Sequence, residues 1–244
     1  MNADSKTRQT ETSVRKNASF FLQELDAYSH GVGTLDTYRF IREAVNESVT
    51  GSQSLLDIGN GGVFDYDTSL VGSILAVDLF LEALPENYGC PQNVTLKHGN
   101  ALALPVSDMS HDAVLMVMLL HHLIGKSVSE SIRNIEQAIA EGWRVLAPGG
   151  KFVVVESCVP KWFYAFERMV FPITTAILAQ TITHPPTLQF PPNQIAAIMA
   201  RVTGVAPEVQ KIRKGKWVLQ YGCKWPSALT PVSVWRFIAS RAKV

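Results

Sequence analysis

The chain has 244 residues, of which 47% are hydrophobic, and its 22 basic and 21 acidic residues leave a formal net charge of +1. This is enough apolar material for one domain with a buried core. The balanced charge argues against recognition of nucleic acid through a broad basic face, so we expect no nucleic-acid partner. The sparse cysteines Cys90, Cys158 and Cys223 indicate neither a disulfide framework nor a metal site.

Two further expectations concern location. Residues 1–17 are polar and contain no apolar signal segment, so we expect this stretch to be disordered and the protein to be cytoplasmic. The longest apolar stretch, 162–182, is interrupted by Glu167, Arg168 and Pro172, so we predict no membrane span.

The first predicted elements lead to a glycine-rich turn. Asp57 lies near the end of a buried strand, and Gly59 and Gly61 follow it at once, so a ligand can approach the backbone closely here. The elements up to this turn are a short helix over 18–25, a loop over 28–34, an amphipathic helix over 35–49 and the strand over 54–58.

A second acid follows the glycine turn, at the end of the next predicted strand. Only about ten residues separate Gly62 from the next strand, 73–78, so we expect a helix of no more than two turns between them. That strand ends in Asp78, and an acid in this place can accept hydrogen bonds from both hydroxyls of a ribose. The two acids with the glycines therefore predict an adenosine-containing ligand.

The rest of the chain continues the alternation of strands and helices. Ser127 and Glu130 form a capping box, which indicates the start of a helix. A run of aromatic residues and prolines over 159–192 predicts a helical insertion. The remaining elements are a helix beginning at 79–84, strands over 94–98, 113–120 and 151–156, of which the second ends at His121-His122, helices over 128–143 and 194–202, and two closing strands over 209–212 and 218–221, which a turn around 214–216 could join as a hairpin.

This alternation predicts an α/β fold with an open, doubly wound sheet. We expect a single domain over 18–244, with a core of about 35–158 and 203–225 and an insertion over 159–202. Asp57, Asp78, Asn100 and His121 follow or end four different strands, so they converge on the edge where such sheets bind ligands.

These motifs together resemble the class I S-adenosylmethionine-dependent methyltransferases. The shared pattern comprises the glycine turn, Asp78, Gly99-Asn100-Ala101, a strand followed by two histidines, and Pro148-Gly149-Gly150 before a strand. Within that family the chain is similar to the small-molecule branch that includes the ubiquinone and menaquinone methyltransferases. The resemblance implies a Rossmann-like, mostly parallel sheet of seven strands with helices on both faces, an N-terminal helical lid, and S-adenosyl-L-methionine as cofactor, with S-adenosyl-L-homocysteine as product.

The resemblance also implies roles for matching positions. The cofactor would be bound by Tyr28, Asp57, Gly59, Asn60, Gly61, Asp78, Leu79, Asn100, Ala101 and Met118. Two positions depart from the family pattern, since Val63 replaces a third glycine and Asn100 replaces an aspartate. The short link after Gly62 is also atypical, and Asp65 or Tyr66 could face the cofactor. A dinucleotide-binding alternative fits less well, because its G-x-G-x-x-G motif would need a glycine where Phe64 stands.

Methyl transfer from a sulfonium depends on the orientation of the reactants more than on acid catalysis, because the thioether leaving group needs no proton. A hydroxyl or similar acceptor also needs a base, and His121 and His122 follow the fourth strand where such a base belongs. Adjacent side chains point apart, so one of the two, preferably His121, would face the substrate; packing or capping of the next loop is the alternative. The residues predicted to bind the substrate are His30, Trp162, Tyr164, Phe166 and Arg168. The alternative for each of them is ordinary packing or a surface position.

The sequence thus predicts methyl transfer from S-adenosylmethionine to an O, N or C atom of an apolar or aromatic small molecule, such as a quinone-like or secondary-metabolite acceptor. Two alternatives stay open: an RNA or protein acceptor, and a protein that binds the cofactor without catalysis. The oligomeric state is not predicted. The basic run Lys211, Arg213, Lys214 and Lys216 is interpreted as a solvated face.

Overall fold

A computed structural model describes residues 35–81, 84, 89–181, 187–220 and 223–243. Tyr28 and His30, with the expected disordered start, the first helix and the lid, lie outside these residues. The helices are α1 (Asp36–Val49), α2 (Val128–Val145), α3 (Lys161–Thr181) and α4 (Pro192–Thr203). The strands are β1 (Ser54–Ile58), β2 (Ser73–Asp78), β3 (Val94–His98), β4 (His111–Val117), β5 (Leu146–Cys158), β6 (Glu208–Lys211), β7 (Trp217–Gln220), β8 (Cys223–Pro226) and β9 (Ser233–Ser240).

Seven of these strands form one mostly parallel sheet, as predicted. Its order is β3-β2-β1-β4-β5-β9-β6, and the pairs from β3 to β5 are all parallel. β9 is antiparallel to both β5 and β6. The order reverses between β1 and β4, so the carboxyl ends of these two strands open the crevice in which α/β sheets bind ligands.

The alternating side chains of the central strands divide the core into two clusters. Leu56 and Val114 point into one cluster with α2 and α4, whereas Leu55 and Ala113 point into the other with α1. All four are fully buried. Because both faces of β1 and β4 are covered, these strands have the near-continuous apolar sequence of parallel strands buried on both sides.

The predicted capping box at the start of α2 is confirmed in a modified form. The Ser127 hydroxyl accepts a hydrogen bond from the Glu130 amide at 3.2 Å, as an N-cap should. The Glu130 carboxylate accepts from the Lys126 amide at 2.7 Å, one residue earlier than the standard box.

Several predicted boundaries are corrected. The fourth strand ends at Val117 and does not continue to the two histidines as predicted, because Met118 adopts a φ of +53° and His121 and His122 lie in a 3-10 turn. β5 begins at Leu146, so Pro148-Gly149-Gly150 lies inside the extended segment rather than before it. The helix predicted to begin at Leu79 is absent there; Leu81 belongs to a 3-10 turn and part of 82–88 lies outside the described residues.

The predicted hairpin around 214–216 is wrong. β6 joins the main sheet through β9, whereas β7 pairs with β8 in a separate two-stranded ribbon. The sequence patterns did not predict β9, which lies beyond the expected core boundary at 225 and fills the place between β5 and β6.

Candidate cofactor and active site

Asp57 is the buried centre of the candidate cofactor site. Its Oδ2 atom accepts two hydrogen bonds of 2.9 Å, from the Asn60 side-chain amide and from the Tyr66 hydroxyl. Its Oδ1 atom is equally buried and has no hydrogen-bond partner among the described residues. A buried carboxylate oxygen without a donor is costly unless a ligand supplies one. The amino group of an amino-acid ligand is a donor of the required kind.

Burial dominates the ionisation of this carboxyl group. Loss of solvation raises the pKa of Asp57 to about 7, although the hydrogen bonds from Asn60 and Tyr66 lower it. Burial also raises the pKa of the neighbouring Asp65 to about 6, against the favourable charge of Arg42. The pKa of the Tyr66 phenol is raised as well, first by burial and then by Asp57, so this hydroxyl stays a donor.

Tyr66 explains the short link that follows the glycine turn. The chain between Gly62 and β2 contains one 3-10 turn, Thr68–Leu70, within the predicted limit of two helical turns. In the space before that turn, the buried Tyr66 ring folds back under β1 and reaches Asp57. The link therefore supplies a buried donor to the site.

The glycine turn leaves room for a ligand at one position in particular. Gly59, Gly61 and Gly62 all have positive φ, from +60° to +84°. A Cβ atom at Gly59 or Gly62 would collide with leucine side chains at 2.5 and 2.6 Å, whereas a Cβ at Gly61 would meet nothing within 4 Å. Gly61 therefore faces open space beside Asp57, and together they fit the amino-acid end of S-adenosylmethionine.

Asp78 fixes the glycine turn to the second strand. Its buried carboxylate accepts from the Gly61 amide at 2.9 Å and from the Phe80 amide at 2.7 Å. Burial raises its pKa, and these backbone donors oppose that shift. A carboxylate has about four acceptor sites, so it can also accept from ribose hydroxyls, as the resemblance implies.

The remaining predicted cofactor residues surround this turn. Asn60 is used within the protein, since its Oδ1 atom accepts from the Gly62 amide at 2.9 Å while its amide group holds Asp57. Asn100 is exposed after β3, and its Oδ1 atom accepts from the Leu102 amide. Its NH₂ group is then left to donate to an adenine base. Leu79, Ala101 and Met118 are half-buried at the ends of β2, β3 and β4.

Beyond β4, His121 is held by a buried acid that the sequence patterns did not single out. The His121 Nδ1 atom lies 2.6 Å from Oε1 of Glu156, a fully buried residue near the end of β5. The other carboxylate oxygen accepts from the Leu120 amide at 2.7 Å. Since Nδ1 bonds to a carboxylate, it carries the proton and Nε2 is left as the basic nitrogen.

A chain of polar groups supports this pair from the other side. Ser157 donates its amide and its hydroxyl to Glu156 Oε1, at 2.6 and 3.1 Å. The Gln189 side chain donates to the Ser157 hydroxyl at 2.9 Å. The Leu188 amide donates to the His121 carbonyl at 3.2 Å. The segment after α3 therefore secures both partners of the histidine–glutamate pair. The His122 ring packs against the His121 ring at a tilt of 41°, with centroids 4.1 Å apart, so the two side chains do not point apart as predicted.

The predicted substrate residues on α3 are divided between two faces of the helix. Tyr164 is buried, packs 5.4 Å from Phe190 and lies under the Arg168 guanidinium at 5.8 Å. Trp162 and Phe166 lie on the outer face and are more than half exposed. The structure therefore joins Tyr164 with Arg168 and separates them from the other two. No cluster able to hold a metal ion occurs in the part of the chain that is described.

Glu156 is a site residue that the predicted set omits, and Tyr66, predicted as one of two residues that could face the cofactor, donates to Asp57. Each had a visible signal, since an aromatic residue stands in a link too short for a helix and an acid ends the apolar run Val153-Val154-Val155. Neither signal names its partner, because the contacts join residues 9 and 35 positions apart in the chain.

Comparison with known proteins agrees with this site. Residues 56–154 match the family described as "Methyltransferase domain". Demethylmenaquinone methyltransferase from Tropheryma whipplei is 31% identical over 144 residues, which are 57% of this chain and 56% of that protein. The enzyme of the same name from Deinococcus radiodurans is 28% identical over 201 residues, 72% of this chain and 79% of that protein.

A solved structure shows the same fold. An S-adenosylmethionine-dependent methyltransferase from Methanosarcina mazei superposes with a TM-score of 0.56 at 17% identity, covering 82% of this chain and 98% of the other. The chain matches 56% of the length of the Tropheryma whipplei enzyme, so the activity of that whole enzyme is not assigned to this chain. The sheet order and the glycine turn agree with the match of residues 56–154 to the methyltransferase domain family, and parts of the chain are similar to demethylmenaquinone methyltransferases.

Proposed function

We propose that the protein transfers a methyl group from S-adenosylmethionine to a small, apolar, aromatic acceptor of the quinol type. The observation that carries this proposal is the His121–Glu156 pair, which stands at the end of β4, the strand beside the Asp57 turn on β1. The relatives named for demethylmenaquinone support the acceptor class. A cytoplasmic location and the absence of a nucleic-acid partner remain predictions; none of the described helices is long and apolar enough to cross a membrane.

The site residues divide the work between binding and proton transfer. Asp57 and Asp78 hold the amino-acid and ribose parts of the cofactor, which supplies an electrophilic methyl group when bound. His121 would take the hydroxyl proton of the quinol at Nε2 while the quinol accepts the methyl group, and the electron pair of the broken S–CH₃ bond would stay on the sulfur of the cofactor. The Glu156 carboxylate keeps the required tautomer and stabilises the imidazolium that results.

The proposal is tested with tritiated S-adenosylmethionine and a short-chain 2-prenyl-1,4-naphthohydroquinone as acceptor. We expect His121→Ala to lower kcat by about 10²- to 10⁴-fold, the usual contribution of a positioned base. Glu156→Gln should lower kcat by a smaller factor, while the affinity for S-adenosylhomocysteine changes less than about twofold, because binding does not use this pair. His111→Ala, at the opposite end of β4, is the matched control.

Three results would contradict parts of the proposal. Absence of S-adenosylhomocysteine binding in calorimetry would remove the cofactor. Full turnover by both His121→Ala and Glu156→Gln would remove the base. Cofactor binding with labelled RNA or protein, and no labelled quinol, would replace the small-molecule acceptor with the first alternative.

A further inference from the structure

Two segments project from the edge of the sheet that carries the site. α3 begins at Lys161, three residues after β5 ends at Cys158. Residues 212–232 leave β6 and return to β9 at the same edge, because Ser233 pairs with Cys158. We call residues 159–181 and 212–232 the rim segments.

The rim segments hold most of the large apolar side chains that the described residues expose. Eight such side chains are exposed, and six of them lie in these two segments. Trp162, Phe166 and Met169 are 68%, 52% and 70% exposed, and their spacing of four and three residues places them on one face of α3. Tyr164 and Phe171, on the other face, are buried.

The second rim segment exposes apolar side chains on a thin ribbon. β7 and β8 pair only with each other among the described strands. Trp217 lies opposite Pro226 and Trp225 lies opposite Val218, so the two tryptophans occupy opposite faces of the ribbon. They are 41% and 48% exposed, and Leu229 beyond them is 74% exposed. The ribbon is attached to α1, because the Thr37 hydroxyl donates to the Trp217 carbonyl at 3.0 Å, and its tryptophan side chains stay partly exposed.

The charge of the rim segments indicates the kind of neighbour. They contain six basic residues and one acidic residue, in a chain whose total charge is nearly balanced. The acid, Glu167, is half-buried, whereas Lys161, Arg213 and Lys216 are exposed. Tryptophan with flanking lysine and arginine is the composition that seeks the boundary between anionic headgroups and acyl chains.

We propose that the rim segments dock the protein on the surface of an anionic lipid bilayer. The apolar side chains of α3 and of the β7–β8 ribbon enter the headgroup region, while the basic side chains contact lipid phosphates. This inference rests on the proposed function in one respect: docking would bring the site edge to a bilayer in which an apolar acceptor dissolves.

The test measures sedimentation of the full chain with vesicles of phosphatidylcholine alone or of phosphatidylcholine with about 30% phosphatidylglycerol, which gives the surface a negative potential. We expect binding to the anionic vesicles that weakens as salt is raised. The triple variant Trp162→Gln, Phe166→Gln, Met169→Gln should bind at least about tenfold more weakly, because each lost side chain removes buried apolar area. The control Met109→Gln, Val209→Gln removes apolar side chains that are also exposed but lie outside the rim segments.

A second pair of variants tests the charges. Arg213→Gln with Lys216→Gln should weaken binding by about fivefold for each residue at low salt, the effect of one basic group near an anionic surface. Arg133→Gln with Lys151→Gln, which lie outside the rim segments, should leave it unchanged. Circular dichroism establishes that every variant is folded.

Several results would overturn docking on lipid. One is failure of the full chain to bind anionic vesicles, as expected if another segment of the chain covers this surface. Docking on lipid would also be overturned if the control variants lost as much vesicle binding as the test variants, or if the triple substitution only dissociated a dimer. Binding of the chain to polyuridylate RNA in place of vesicles would overturn it as well. Calorimetry with S-adenosylhomocysteine needs no membrane, so it separates failure of docking from failure of the proposed function.

Discussion

Replacement of Tyr66 by phenylalanine removes one hydroxyl from the site and leaves the volume of the ring. That hydroxyl donates to Asp57 Oδ2 and stabilises the ionised carboxylate. A hydrogen bond to a charged group contributes about 1.5–3 kcal/mol, and one pKa unit corresponds to about 1.4 kcal/mol. The variant should therefore raise the pKa of Asp57 by about one to two units.

The expected effect is an affinity for S-adenosylhomocysteine that depends on pH. The ligand's ammonium group needs an ionised Asp57, whose pKa is about 7, so binding should weaken as the pH falls below 7. For the wild type the ionised fraction drops from about nine-tenths at pH 8 to about one-tenth at pH 6. For Tyr66→Phe the fraction at pH 7 falls from about one-half to between about one-tenth and one-hundredth, so the affinity should fall by about 5- to 50-fold.

Isothermal titration calorimetry from pH 6 to pH 9 measures this profile. The difference between Tyr66→Phe and wild type should shrink to about twofold or less at pH 9, where Asp57 is largely ionised in both. Tyr164→Phe removes a buried hydroxyl in the other core cluster and is the control. An affinity loss of equal size at every pH would refute the reasoning, because it would mean that Tyr66 acts through packing alone. A wild-type affinity independent of pH would refute the role of Asp57.

Two further predictions concern the glycine turn and α2. Gly61→Ala should destabilise the fold by about 1–2 kcal/mol, the cost of a positive φ for a side chain, but should abolish detectable S-adenosylhomocysteine binding because its methyl group fills the open space; retained binding in calorimetry would show that the ligand lies elsewhere. Ser127→Ala should cost about 1 kcal/mol through loss of the N-cap, seen as a melting temperature lower by about 2–4 °C, whereas Ser129→Ala on the exposed face of the same helix should have little effect.

The parallel half of the fold could be predicted because its strands are continuous apolar runs. β1 and β2 were bounded correctly, since each is flanked by glycine or serine and buried in the sheet, and the edge strand β3 is delimited by Pro91 before it and Gly99 after it. β9 could not be found in the same way. Its sequence includes Arg236, a residue that is rarely buried, and only the folded chain shows that Glu47 and Gln210 pair with it there.

The site was predictable to the extent that its residues follow strands. Asp57 and Asp78 are positioned by β1 and β2 alone, so the alternation of elements was sufficient to place them. Tyr66 and Glu156 act through side-chain contacts across the fold, and no local spacing determines such contacts. The ribbon of β7 and β8 was missed for a related reason. The sequence pattern of a strand predicts its position in the chain but not the strand with which it pairs.

The position of β9 fixes the order in which the sheet is completed during synthesis. β6 is made first, yet among the described strands its one neighbour in the main sheet is β9. Until residues 233–240 emerge from the ribosome, the long apolar strand β5 presents an open edge, and pairing of β5 with β9 closes a loop of about eighty residues. We therefore expect formation of this pair to be a slow, aggregation-prone stage of folding, so that substitutions in β9 reduce the yield of folded protein more than equal changes in β3.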